Sequence, residues 1–181
     1  MSIINYQFII YACPVGKLNS QIETYFNKSR ELYGENSAHK YMPHCSLTGF
    51  FADELSSIPT YIQALNKAYI EAENNLSVDI EIKQLSFREN WHGLELQAEG
   101  LKQLMFNFTR IETSTTRQEV IRIKDWLHLS LAYDFDRRHS AELKNLALEI
   151  IALKAKVDWE LCFYQKNADW TWTCLKTWSL V

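Results

Sequence analysis

The chain has 181 residues, 47% of them hydrophobic, with six Trp among its aromatics. That is enough for one domain with a substantial core, and it excludes an intrinsically disordered chain. Nineteen basic against twenty-two acidic residues leave a net charge of −3, which argues against tracking long nucleic acid by bulk charge but leaves room for a small, locally basic pocket.

The first apolar run, "IINYQFIIYACPV", has no basic leader and is too short and too strand-like for a signal peptide or a membrane span, so a soluble cytoplasmic protein is expected. Residues 5–13 read as a strand, and "PVGK" turns the chain into a helix over 17–33. Leu18, Ile22, Tyr25, Phe26, Leu32 and Tyr33 recur there at three- and four-residue steps, and Gly34 supplies a stop. The loop "ENSAHKYMP" leads into a strand, "MPHCSLTGFF", at 42–51. A second helix is expected over 58–73, with Pro59 in its first turn and Ile58, Tyr61, Ile62, Leu65 and Tyr69 on one face. Residues 78–87 and 91–99 alternate as two strands joined by the turn "REN". A third helix over 101–111 is followed by a polar loop, "ETSTTRQEVIRIKD", and then by a strand, "WLHLSLAYDF", at 126–135. A fourth helix covers 139–153, and strands 157–165 and 170–179 form a closing hairpin through "KNAD". Pro and Gly are scarce and no linker interrupts the chain, so residues 1–181 read as a single α+β domain with mainly antiparallel sheet. The cysteines at 13, 45, 162 and 174 have no CxxC spacing and are expected to be reduced and mostly buried, not zinc ligands.

One order of elements occurs twice: strand, helix, loop, strand with His-x-Ser, helix. Gln7 lies 37 residues before His44, and Trp91 lies 37 residues before His128. The motif copies, "HCSLTGFF" and "HLSLAYDF", share H-x-S-L-x-x-x-F. A single H-x-[S/T] carries little information, but two copies in matching context point to a duplication. Two lobes related by a pseudo-two-fold axis would set their sheets facing a central cleft, with helices outside and the two histidines opposed. The same alignment places the counterpart of Tyr11 near Glu95.

Residues two apart in a strand share a face, so each lobe offers an imidazole and a hydroxyl to the cleft. One neutral imidazole can take a proton from water or a ribose hydroxyl, and a protonated one can give a proton to the departing oxygen. Ser46 and Ser130 can donate to non-bridging phosphoryl oxygens. Such an acid–base clamp opens or forms a phosphodiester without a metal, and no third ligand stands near His44 and His128 at a familiar metal spacing.

Two H-x-[S/T] motifs, each in a strand of a duplicated α+β lobe, resemble the 2H phosphoesterase superfamily, and the resemblance covers essentially the whole chain in layout. The superfamily includes RNA 2′,3′-cyclic phosphodiesterases, ligase-like enzymes and 2′,5′-oligoadenylate phosphodiesterases. It is closer over residues 10–51, where "YACPVGKLNSQIETYFNKSRELYGENSAHKYMPHCSLTGFF" is similar to the 2H domain of the T-cell ubiquitin-ligand (Sts) family. The resemblance implies His44 and His128 as the catalytic pair and Ser46 and Ser130 as phosphate-binding hydroxyls, with serine where threonine is more usual. It implies the 2H domain alone, without ubiquitin-binding, SH3 or phosphatase modules, and no cofactor.

Around this pair, Tyr11, Lys40, Trp91, Arg122, Lys124, Tyr133 and Tyr164 are candidates for substrate contacts. His92, Trp126, Trp170 and Trp172 are further aromatic candidates for base stacking, although Trp170 and Trp172 share a face with Trp178, which reads as core. The expected function is a metal-independent phosphodiesterase acting on 2′,3′-cyclic phosphates or 2′,5′-linked oligonucleotides, its partner a nucleotide or short oligonucleotide. The rival readings are a non-catalytic nucleotide-binding or protein-interaction module and an RNA end ligase or processing enzyme.

Overall fold

Alternation along β1 (Tyr6–Val15) buries both of its faces. Phe8, Ile10 and Ala12 enter the main core, while Ile9, Tyr11 and Cys13 form a second, smaller cluster with Cys162 on the opposite side. A computed structural model describes residues 6–153 and 157–180; Asn5, in the first expected strand, lies outside them. The strand runs two residues past its expected end, through Pro14, where only β7 (Asp158–Lys166) flanks it.

The helices fall where the apolar periodicity puts them: α1 (Lys17–Tyr33), α2 (Ile58–Asn75), α3 (Glu99–Ile111) and α4 (Ser140–Ile150). α1 ends at Gly34, whose φ of 82° frees the chain to leave the helix while its N–H still donates to the Arg30 carbonyl at 3.0 Å. α4 begins one residue later than expected because residues 137–139 form a separate 3-10 turn, capped by the Asp136 carboxylate on the Arg138 N–H, and it ends at Ile150 instead of at 153. All four helices bury one face in the main core, α1 against α4 and α2 against α3. Among the described residues no helix is long and apolar enough to cross a membrane.

The remaining strands are β2 (Cys45–Ser46), β3 (Phe51–Asp53), β4 (Glu81–Arg88), β5 (Trp91–Gln97), β6 (His128–Tyr133) and β8 (Trp172–Leu180). All the pairings are antiparallel, in the order β4-β5-β6-β2-β1-β7-β8, with β3 also on β1. The two lobes of the repeat are therefore joined into one hydrogen-bonded path, through the single pair Cys45↔Leu129 between β2 and β6.

The strand expected over 42–51 is broken. Ser46 pairs with Tyr11 and Phe51 with Phe8, so the segment between Ser46 and Phe51 has two residues in excess over β1. Hydrogen bonding is kept by substitution: the Leu47 N–H donates to the Ile10 carbonyl at 3.0 Å, and the Ile10 N–H donates to the Thr48 hydroxyl at 3.1 Å. The bulged segment turns its free edge to residues 122–124, with Gly49 N–H on the Arg122 carbonyl at 2.8 Å and Lys124 N–H on the Leu47 carbonyl at 2.9 Å.

A second irregularity corrects the reading of the C-terminal tryptophans. Between Phe163↔Lys176 and Tyr164↔Cys174 the register of β7 and β8 slips by one residue. A one-residue slip exchanges the faces of a strand. Trp178 is buried on the helix side, its indole N–H donating to Asn66 at 2.7 Å, whereas Trp172 packs on the other side against Tyr11 and Phe50. Trp170 precedes the strand and is 56% exposed.

Asp53 ends β3 fully buried and ties down the polar loop after α3. Its carboxylate accepts from the hydroxyls of Tyr61 at 2.5 Å, Ser114 at 2.6 Å and Thr116 at 2.6 Å, and from the Glu54 N–H at 2.8 Å. Burial by itself raises its pKa, but these four donors overcome it and hold the carboxyl at about 2. Asp53→Ala leaves those donors unpartnered and is expected to cost about 2–4 kcal/mol in urea unfolding. Because the folded pKa lies below the ordinary 3.8, the contribution is complete above that value and is lost as pH falls toward about 2. Acid unfolding of the native chain should therefore show a step in that window that the variant lacks.

Candidate functional site

The antiparallel pair Cys45↔Leu129 decides what stands beside what. Extending that register by one residue each way sets Ser46 next to His128 and His44 next to Ser130. Cys45 and Leu129 point into the main core, so the four polar side chains share the opposite face. The histidines occupy diagonal positions, where cross-strand neighbours lie about 7–8 Å apart and their Cβ atoms closer, a span that one phosphoryl group can bridge.

Both imidazoles are held the same way. Nδ1 of His44 lies 2.7 Å from the Met42 carbonyl oxygen, and Nδ1 of His128 lies 3.2 Å from that of Trp126. A carbonyl oxygen only accepts, so Nδ1 carries the proton in each ring and Nε2 is the exchangeable atom. Tyr11 lies against His44 at a ring separation of 4.1 Å, and Trp126 stacks on His128 at 3.8 Å. Burial lowers the pKa of His44 to about 4, against the opposing pull of the Met42 carbonyl and helped by nearby His128. Burial also lowers that of His128; the Trp126 carbonyl and Glu95 oppose this, while Lys124 and Arg88 add to it.

A cleft of about 540 Å³ lies over this face, lined by Tyr11, His44, Ser46, Trp91, Arg122, Lys124, His128, Ser130 and Tyr133. Nine of the eleven sequence candidates thus meet in one place. Lys40 and Tyr164 do not line it. Lys40 closes a capped 3-10 turn, Ser37–Lys40, and it is the next residue, Tyr41, that reaches the cleft. Tyr164 sits on β7, one strand beyond β1, and packs behind Tyr11 at 5.8 Å. His92 also turns away, buried against Phe87 and Phe135 with the Ser140 hydroxyl 3.2 Å from its Nε2. Arg88 belongs to the lining but was not expected there. Its guanidinium lies 4.7 Å from the Trp126 ring centroid and is ion-paired to Glu95 at 2.8 Å. The turn "REN" contained the signal, since a tight turn sets Arg88 opposite Trp91. Three cations, Arg88, Arg122 and Lys124, face one lining carboxylate, Asp134, so the cleft is basic within an acidic chain. Burial, with Tyr41 and Asp134 nearby, pushes the Tyr133 hydroxyl up to about 12, so it stays protonated as a donor.

The pairing also corrects the alignment of the lobes. Ser46 faces Tyr11 across β1, while Ser130 faces Gly93 across β5. Gly93, not Glu95, is therefore the counterpart of Tyr11; Glu95 pairs with His128 itself. Where the first lobe has the Tyr11 ring, the second has the Trp91 indole, which reaches over the bare Gly93 backbone to donate from Nε1 to the Ser130 hydroxyl at 2.9 Å. Among the described residues no three His, Cys, Asp or Glu side chains gather into a set that could hold a metal ion, and all four cysteines are free thiols, with Cys174 exposed and the others buried.

No family model matches the chain. Over 164 residues, 89% of its length, it is 29% identical to ubiquitin-associated and SH3 domain-containing protein B of mouse and of human. It is 26% identical, over the same share of its length, to ecdysteroid-phosphate phosphatase of Bombyx mori. The chain spans about a quarter of the length of these curated relatives, 25% of the first and 24% of the second. A crystal structure of E. coli LigT in apo form superposes loosely, over 98% of this chain at 15% identity with a TM-score of 0.46.

A Cβ added to Gly93 would meet the Leu129 carbonyl oxygen at 2.3 Å and the Trp91 ring at 2.4 Å. Gly93→Ala is expected to push the indole off Ser130 and to lower stability by about 1–3 kcal/mol. The resonance of the Trp91 indole N–H should lose its hydrogen-bonded shift; an unchanged resonance would show that β5 and β6 absorb the methyl group.

Proposed function

For a chain related to the Sts proteins and carrying the paired motifs of the 2H phosphoesterase superfamily, we propose a phosphodiesterase that needs no metal and opens 2′,3′-cyclic phosphates or 2′,5′ linkages by two-histidine acid–base catalysis. The observation that carries this reading is the pair of imidazoles fixed in one tautomer, each with Nε2 free, beside two hydroxyls on one sheet face. In the proposed reaction His44 Nε2 takes a proton from water as the water oxygen bonds to phosphorus. The bond from phosphorus to the departing ribose oxygen breaks, and His128 Nε2–H supplies that oxygen's proton. Solvent then resets both rings. His44, held neutral above about pH 4, suits the base. His128, paired across the ladder with Glu95, suits the acid, because a bound phosphate anion adds to the carboxylate in favouring its proton.

Ser46 and Ser130 are proposed to donate to the non-bridging oxygens. The Ser130 oxygen already accepts from Trp91, which leaves its own proton to point into the cleft. Arg122 and Lys124 offset phosphate charge, and Trp126, Tyr41 and Tyr133 wall the space for a base. The word phosphatase belongs to relatives of which the aligned stretch is about a quarter, so their named substrate does not set the one proposed here.

The test offers 2′,3′-cyclic nucleotides and 2′,5′-linked oligoadenylate to the purified protein in excess EDTA, beside His44→Ala and His128→Ala. Cleavage by the native chain, reduced about 10²–10⁴-fold in each variant, is expected. Turnover unaffected by either substitution would sink the mechanism, and a nucleotide that raises the melting temperature yet stays uncleaved would mark a binding module instead. The base must be unprotonated to act, so its depressed pKa moves the acid limb of the kcat/KM profile from near 6.5 down toward about 4. An acid limb at the ordinary histidine value would show that His44 is not the base.

A further inference from the structure

A second hollow, about 410 Å³, lies outside the cleft, between the start of β1 and the hairpin that joins β7 to β8. Tyr6, Gln7, Gln165, Lys166, Asn167 and Trp170 line it. Trp170 is 56% exposed and has a φ of 65°, a left-handed conformation that a bulky side chain rarely adopts. The hairpin holds it there. The Trp170 N–H donates to the Asn167 carbonyl at 3.1 Å, Asn167 N–H donates to the Thr171 carbonyl at 2.9 Å, and the Asn167 amide donates to the hydroxyls of Thr171 and Thr173. A rigid turn that presents an indole to solvent in a strained conformation gains nothing for the core, and such strain gathers at functional positions.

Lys166 links this hollow to the cleft. Its ammonium lies 3.4 Å from the Trp170 ring centroid and 5.4 Å from that of Phe50. Phe50 is itself part of the cleft wall, stacked on Trp172 at 6.0 Å. One cation between two aromatic faces, continuing outward from a basic cleft, has the alternation that a single nucleic-acid strand requires: a ring for each base and a positive charge for the phosphate between them. The one carboxylate of the turn at 167–171, Asp169, is engaged by the Thr171 hydroxyl and N–H.

We propose that Trp170 and Lys166 form a second subsite, in which the nucleotide next to the scissile phosphodiester of a short oligonucleotide stacks on Trp170 and places its phosphate at Lys166. This rests on the phosphodiesterase reading and assigns its substrate as a strand of more than one nucleotide. The test compares native protein, Trp170→Ala and Lys166→Gln on a 2′,3′-cyclic mononucleotide and on a tetranucleotide ending in the same cyclic phosphate. KM for the tetranucleotide should rise about tenfold in Trp170→Ala, with mononucleotide turnover unchanged. In Lys166→Gln the salt dependence of KM should become shallower, again for the tetranucleotide alone. Equal KM values for the tetranucleotide in native protein and both variants would overturn the subsite while leaving the two-histidine reading intact. If the native chain cleaves neither compound, the cyclic-phosphate form of that reading fails, and titration of tryptophan fluorescence with the tetranucleotide decides the subsite alone. Binding weakened about tenfold by Trp170→Ala supports it; equal binding, or none, overturns it.

Discussion

Everything at the candidate site depends on one short antiparallel contact, the pairing of Cys45 with Leu129. β2 is only two residues long, yet it is the seam between the halves of the molecule. Because side chains alternate, seating Cys45 and Leu129 in the core obliges His44, Ser46, His128 and Ser130 to emerge together on the other face. A slip of one residue along that seam would bury the polar set and expose the apolar one, which is why the hydrophobic face enforces the register. The bulge at Leu47–Phe50 protects the seam. It lets the chain leave β2 without orphaning Ile10, and its free edge captures residues 122–124, which brings Arg122 and Lys124 to the cleft.

The pseudo-symmetry is of backbone, not of chemistry. Both histidines use the same local device, an Nδ1–H held by the carbonyl two residues back, because a strand turning in from a loop brings that oxygen within reach. The neighbours then diverge. Tyr11 lies against His44, while Gly93 opens the matching position to the Trp91 indole. His128 has a carboxylate as its cross-strand partner and a tryptophan stacked on its ring under an arginine; His44 has neither. Two identical imidazoles thereby enter unlike electrostatic surroundings, as the proposed division into proton donor and proton acceptor requires.

The buried polar groups away from the cleft serve position. Asp53 gathers one hydroxyl from α2 and two from the loop after α3, and so fixes where that loop starts its return toward β6. His39 is similarly consumed, with Nδ1 accepting the Asn36 N–H and Nε2 against the Ser29 hydroxyl, in the turn that delivers Tyr41. Neither group offers a free atom to a substrate, unlike Nε2 of the paired histidines.

Local chemistry made much of this legible in advance. The apolar periodicity located all four helices, Gly34 marked a helix end, and the repeated H-x-S in matching surroundings singled out the four side chains that share a face. Irregularity was not legible. The break in the strand after Ser46, the slip in β8 that sends Trp172 and Trp178 to opposite sides, and the true counterpart of Tyr11 all lie where one strand carries one or two extra residues against its partner. A period-two pattern read along one strand has no record of its partner's register. Arg88 was missed although its hairpin was read, since its place at the cleft also depends on Trp126, which a distant part of the chain supplies. The sequence by itself determined which residue types could do chemistry and which segments would be helix or strand, because those follow from side-chain spacing within a segment. Only the tertiary structure decided which of them meet, because hydrogen-bond register between distant strands sets the facing of every side chain, and a single bulge reverses it.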